Sequence, residues 1–453
     1  MPSKKMTAKK STGGSAPRVV ITLEAADDVS DASQSDEMDV ASDGSHHNDF
    51  CIVCRDGAVE PNSLVCCSEC PRVVCVNCMD IPAAFQHAVL ADDVLFQCIC
   101  CYISQQESRR RQENGPSRLP YFGFHYSDGR PVLDRFLNIR ATLELSLRAQ
   151  ISSAPVLFVH LKIVDYDATG GSFDLAYDFL KPYFPCGGLE RREVTFDIAT
   201  TAKAANYQRS VDSMVRALKE QGKWDRVVIG ISDHTDNDNG DPFAGYDGKK
   251  RFIAARVDNF LDIILKPWQG LVDHASESYL WFFCCGALVN NIESFKTLQT
   301  SILRHRMSAA VAFTAPRFQP SFTSHLLLAF AEIVLLERFA IHNSFPHMLG
   351  QSFKLGRHTD IFLMTPDKDQ LTVTKYCWTH IDHRPWGHYL PLLCPSCGVG
   401  NAWRSASKSR VYTFECTNHP CRTSYTFKQP EGSRMLHPGK TGSSCWISIP
   451  WKY

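Results

Sequence analysis

Eight of the cysteines between positions 51 and 101 form four pairs, each with two residues between its members. They are Cys51 and Cys54, Cys67 and Cys70, Cys75 and Cys78, and Cys98 and Cys101. A C-x2-C turn aims two thiolates at one tetrahedral centre, which is the geometry structural zinc requires. Two further pairs lie near the C-terminus, Cys394 with Cys397 and Cys416 with Cys421. Twelve of the 19 cysteines thereby make three sites of four thiolates, and three zinc ions are the expected cofactor. A secreted disulfide framework fits poorly. Disulfide-dense scaffolds are usually short, this chain has 453 residues, and no signal peptide is read at its start. So many thiolate ligands imply a reducing compartment, nuclear or otherwise cytoplasmic.

The order of the pairs adds a topology. Only four residues separate Cys70 from Cys75, so the second and third pairs cannot easily fold back onto one ion. The loop from Cys54 to Cys67 is long enough to arch over. Spacing therefore predicts one site from Cys51, Cys54, Cys75 and Cys78, and another from Cys67, Cys70, Cys98 and Cys101. That is an interleaved cross-brace.

The stretch "CIVCRDGAVEPNSLVCCSECPRVVCVNCMDIP", followed by "FQCICC", resembles a PHD-type zinc finger. Asp56-Gly57 turns the chain after the first knuckle, Cys70-Pro71 matches the family's Cys-Pro step, and Phe96 stands two residues before Cys98. The family's fifth ligand is normally His, and here it is Cys75. Cys66 and Cys100 break the two-residue spacing and are read as bystanders, and His87 as an exposed helix residue. The resemblance implies a protein partner, above all the N-terminal tail of histone H3. Between Arg55 and Val65 there is no aromatic residue from which to build a methyl-lysine cage. Asp56, Glu60 and Glu69 would instead suit an unmodified basic tail. The competing reading is a purely structural finger, or one that binds a non-histone protein.

The remainder divides by composition. Residues 1–48 read as a disordered tail. Lys4, Lys5, Lys9, Lys10 and Arg18 precede an acidic, Ser-rich run with too little apolar surface to fold. The lysine pairs serve either as a nuclear-import signal or as solvated charge. The finger occupies 49–103 and a polar linker 104–120, with Arg109, Arg110 and Arg111 in sequence. Residues 121–385 read as an α/β domain and 386–453 as a zinc ribbon. Lys plus Arg equals Asp plus Glu at 48 each, so net charge gives no argument for nucleic acid. The longest apolar run, Leu326 to Leu336, contains Glu332 and is too short to cross a membrane.

Within 121–385, Val156–Val159, Trp224–Ile231, Tyr279–Cys285, Ala309–Phe313 and Ile361–Met364 read as buried strands. Val257, Phe260, Leu261, Ile264 and Trp268 share one helical face. Ser324 can cap a buried helix reaching Leu336. Strands separated by helices predict a mainly parallel sheet covered on both faces.

Functional residues of such sheets gather beyond the C-terminal ends of strands. "RVVIGISDH" ends in His234 and "YLWFFCCG" in Cys284-Cys285-Gly286. These two motifs, within residues 150–315, resemble the caspase-like clan, including its CHAT-type members. The resemblance implies His234 as base and Cys284 as nucleophile of a cysteine peptidase, with Cys285 the competing choice. Thr235 stands where that clan places Gly, and Phe283 where it places a small residue. The loop after His234 carries Asp233, Asp236, Asp238 and Asp241. It lacks the glycine a calcium loop needs at its sixth position, and its carboxylates would suit a basic substrate residue.

Near the C-terminus, Cys394, Cys397, Cys416 and Cys421 resemble a zinc ribbon, with strands at Val411–Phe414 and Ser424–Phe427. His419 competes with Cys421 as ligand, but sulfur and spacing favour the cysteine. Arg404, Lys408, Arg410, Arg422 and Lys428 interleave with aromatics, a pattern that suits either nucleic-acid contact or plain solubility. Trp446, Trp451 and Tyr453 should pack back onto the ribbon or the central domain. Three function classes follow from the sequence: a nuclear zinc-binding protein that recognises a protein partner, a cysteine peptidase, and a nucleic-acid-associated factor.

Overall fold

The computed structural model describes Ala16, Arg18–Val19 and residues 47–57, 64–112, 119–140, 149–248, 251–368, 370–400, 403–407, 410–438 and 444–452. Most of the N-terminal tail, with its lysine pairs, lies outside the described residues, as do Glu60, Lys408 and Tyr453.

A nine-stranded sheet forms the centre. Its strands are β1 (Val156–Ile163), β2 (Leu189–Phe196), β3 (Arg226–Ser232), β4 (Glu277–Phe283), β5 (Ala309–Phe313), β6 (Ile361–Asp367), β7 (Gln370–His380), β8 (Arg434–Pro438) and β9 (Ser444–Pro450). Their order is β8-β9-β7-β6-β5-β4-β3-β1-β2. The run from β2 to β5 is parallel. The other half, from β5 through β6, β7 and β9 to β8, is antiparallel. The sheet is therefore mixed, not mainly parallel. The reason is local: β6 and β7 are joined by a tight turn at Lys368, with φ of +57°, and a tight turn forces an antiparallel pair.

β1, β3 and β5 are buried at every residue, as strands covered on both faces must be. One face carries α2 (Thr201–Glu220), α3 (Val257–Leu265) and α4 (Ile292–Arg304). The other carries α1 (Ser172–Leu180), α5 (Ser324–Phe330) and α6 (Ile341–Gly350). Val257, Phe260, Leu261, Ile264 and Trp268 are all buried. A wider π-type turn, Ala331–Leu336, continues α5. Ser324 does not cap that helix. It is the first helical residue, and its hydroxyl donates to the Ser321 carbonyl at 2.9 Å.

The finger builds a two-stranded sheet, Leu64–Cys66 against Val73–Cys75, and a helix, Ile99–Gln112. That helix takes up the start of the expected linker. Phe124–Tyr126 pairs with Val94–Phe96, and Val132, Leu133, Leu137 and Ile151 join the finger's core. The finger thus draws on residues well past 103. It also docks on the central domain, where Phe50 meets Tyr183 edge-on with centroids 5.3 Å apart.

Two terminal segments belong to the central domain. Arg18–Val19 runs parallel to Phe252–Ala255, so this part of the expected disordered tail is a paired strand. At the other end, a three-stranded sheet, Trp403–Ser407, Val411–Cys416 and Ser424–Lys428, makes the ribbon. The chain then returns as β8 and β9, and the span 386–453 serves two sheets. Trp446 packs edge-on against Trp378 at 5.7 Å, and Trp451 against Phe362 at 5.3 Å.

Candidate metal centres and the strand-end crevice

The cysteines group as their spacing predicts. Cys51, Cys54, Cys75 and Cys78 form one cluster, Cys67, Cys70, Cys98 and Cys101 a second, and Cys394, Cys397, Cys416 and Cys421 a third. Within each, the sulfurs lie within 4.8 Å of one another. A tetrahedron with zinc–sulfur bonds of about 2.3 Å has sulfur–sulfur edges of about 3.8 Å. The observed edges fit: 3.6 Å for Cys54–Cys75, 3.9 Å for Cys67–Cys101, 3.7 Å for Cys70–Cys98, 3.7 Å for Cys394–Cys421 and 3.6 Å for Cys397–Cys416.

Donors aimed at these sulfurs suit thiolates. The backbone N–H groups of Cys75 and Cys98 reach Cys51 Sγ and Cys67 Sγ at 3.2 Å each. Arg72 Nη1 reaches Cys70 Sγ at 3.5 Å. Such surrounding hydrogen bonds orient metal ligands and stabilise their charge. Cys66 is exposed and Cys100 buried in the finger's core, both outside the clusters. His87 is exposed, and His419 belongs to no cluster.

A fourth group, His160, Asp174 and Glu193, also lies within 4.8 Å. Here cations are already in place. Arg191 bridges Asp174 at 2.6 Å and Glu193 at 2.8 Å, and Lys162 pairs with Glu193. His160 Nε2 meets Ser232 Oγ at 2.8 Å. Burial holds the imidazole down at about 4. The group is a charge network at the end of the sheet and not a metal centre.

His234, Cys284 and Cys285 sit just beyond β3 and β4. Ser232 and Phe283 are register partners in the parallel pair, so His234 and Cys285 both stand two residues past a matched position. The His234 ring is flanked by Tyr166 at 5.7 Å, Phe243 at 6.0 Å and Phe252 at 6.1 Å. Burial lowers its pKa, favouring the neutral imidazole. The His234 N–H donates to Asp233 Oδ1 at 2.7 Å. Burial raises the Asp233 carboxyl well above its ordinary value, and Asp233 Oδ2 has no hydrogen-bond partner among the described residues. Cys284 is 5% exposed and Cys285 1%. Burial pushes the Cys284 thiol well up, and the Asp233 carboxylate adds to the shift. Sequence reasoning did not single out Tyr166, which follows β1 at the point where strand order reverses.

On the ribbon, Arg404, Arg410, Arg422 and Lys428 are exposed. Its aromatics are engaged: Tyr412 stacks on Trp386 and Phe427 on His388, each at 5.2 Å, and Trp403 meets Tyr425 edge-on at 5.0 Å.

No protein-family model and no curated protein matches the chain. Among solved structures it has a slight likeness to a secreted C11 cysteine protease from Bacteroides thetaiotaomicron, determined in complex with an irreversible peptide inhibitor. The identity is 8% and the TM-score 0.27, over 47% of this chain and 66% of that one.

Proposed function

We propose that the chain is a zinc-dependent protein-recognition factor, whose cross-brace is a variant PHD-type finger taking an extended basic peptide. One observation carries the reading. Leu64–Cys66 pairs on one side with Val73–Cys75, and its other edge has no strand partner among the described residues. An edge strand offers backbone donors and acceptors to an added peptide strand. Asp56 and Glu69, both exposed, supply negative charge on the same finger. An unmodified histone H3 tail fits that chemistry, and a nuclear location follows from such a partner. The test is fluorescence anisotropy with the full chain and an H3 N-terminal peptide. The unmodified peptide should bind at least as tightly as its trimethyl-lysine form, and Glu69→Lys should weaken both. Failure to bind either peptide, or a preference for the trimethylated one, overturns the reading.

A second reading, a cysteine peptidase of the caspase-like clan, has one observation in its favour: β3 and β4 end in register at Ser232 and Phe283, shortly before His234 and the Cys284-Cys285 pair in sequence. It requires a thiol open to substrate, and both thiols are buried. Iodoacetamide labelling separates the two readings. A peptidase alkylates at Cys284 or Cys285 faster than at the exposed Cys186, and loses that rate in His234→Ala. The recognition reading expects Cys186 to react first.

A further inference from the structure

The acidic loop after His234 already has an occupant. Asp236 and Asp241 are each 2% exposed, and buried carboxylates need partners. Asp236 Oδ1 accepts the backbone N–H groups of Asp238 at 3.0 Å and Asn239 at 3.1 Å. Its other oxygen, Oδ2, accepts the backbone N–H of Ala16 at 2.6 Å. Asp241 Oδ2 accepts from Arg18 Nε. Both partners come from the chain's far N-terminal end.

The contact has three parts that act together. Arg18 and Val19 add a parallel strand to Phe252–Ala255, in register with Ala254 and Ala255. That strand's opposite edge is taken by Phe243–Tyr246. Ala16 is 6% exposed and joins the core on the α2–α4 side. The Arg18 side chain stays 44% exposed while Asp241 is sealed. A sheet edge, a buried acceptor for a backbone N–H and a buried carboxylate for a guanidinium together suit an extended segment bearing arginine. Its position is also defined: Phe252 packs on the His234 ring, and Thr235 bridges to Pro242 beside it.

We propose that this sheet edge with its two carboxylates is a docking site for extended arginine-bearing peptides, and that Ala16, Arg18 and Val19 fill it in cis as a displaceable strap over the His234 loop. Displaceability follows from what holds the strap. Among the described residues only two pair with the sheet, and a competing segment with the same backbone N–H and guanidinium keeps both buried carboxylates partnered as it exchanges. A segment of the same pattern on a partner protein competes for the same edge and the same two carboxylates. This site is separate from the finger's open edge and stands whether or not that edge binds a histone tail.

Two experiments on the full chain test the proposal. In Arg18→Glu, the strap meets Asp236 and Asp241 with like charge and is expelled. A labelled peptide spanning residues 12–22 should then bind the variant about tenfold or more tighter than wild type. The same peptide carrying Glu in place of its arginine should not bind. No gain in binding for the variant overturns the proposal. In wild type, trypsin should cut after Arg18 about tenfold or more slowly than after Lys10. Asp241→Asn, with native circular dichroism retained, should remove that protection. Equal cutting rates at Lys10 and Arg18 in wild type would also overturn it.

Discussion

Arg55 Nη1 stands 2.8 Å from Glu332 Oε1 and joins the finger's first knuckle to the π-type turn after α5. The same guanidinium also bonds Glu337. Arg55 adopts φ of +64°, in the left-handed region that few non-glycine residues occupy. Arg55 and Glu332 are each about a third exposed, so their coupling is modest. A double-mutant cycle with Arg55→Ala and Glu332→Ala should give about 1 kcal/mol, shrinking in high salt. A coupling of zero would mean that Glu332 does not help hold the finger, leaving Glu337 and the Phe50–Tyr183 contact to do so.

Cys67 and Cys66 make a paired test of the cross-brace. Cys67→Ser removes a cluster sulfur and should unfold the finger, since structural zinc supplies much of a small module's folding free energy. Cys66→Ser changes an exposed thiol and should leave both zinc content and finger stability unchanged. Zinc content and amide exchange over residues 64–112 report both outcomes.

Gly286 has a packing role that any catalytic reading must first satisfy. A Cβ at this position would strike the backbone carbonyl of Thr314 at the end of β5. The Gly286 N–H meanwhile donates to Ala315 O at 2.8 Å. Gly286→Ala should destabilise the central domain by about 3 kcal/mol or more, because backbone on both sides must move. Chemical denaturation measures it, and a loss below about 1 kcal/mol would contradict the close packing of β4 on β5.

His160 sets a pH dependence. It faces Glu193, Lys162, Arg191 and the ring of Phe173, and burial depresses its pKa to about 4, against about 6.5 in the unfolded chain. As pH falls through the unfolded value, the unfolded chain gains a proton that the native chain refuses. Stability is therefore lost on acidification between those two values. The loss from this group should reach about 2 kcal/mol between pH 7 and pH 5. His160→Gln should flatten the profile by that amount. Equal pH slopes for variant and wild type would refute the neutral buried imidazole.

The parts of this molecule legible in the sequence are those fixed by local spacing. Four residues between Cys70 and Cys75 suffice to interleave the clusters. The apolar runs inside β1, β3, β4 and β5 reveal these strands because both of their faces are covered. β2 was missed. Its Glu190, Arg191, Arg192 and Glu193 look like a solvated helix, but they are the charges that guard a sheet edge and pair across it. The antiparallel half was missed because pairing of β7 with β9 is set by a partner some seventy positions away, on the far side of the ribbon. The strap was hidden for a related reason: Arg18 in a polar tail shows its purpose only once Asp241 is folded beneath it.

The most direct test of the three-cluster account is the zinc stoichiometry of the full chain by native mass spectrometry, with X-ray absorption for the ligand set. The account predicts three zinc ions per chain, each held by four sulfurs at about 2.3 Å. Fewer than two ions, or a nitrogen ligand in any shell, would contradict it.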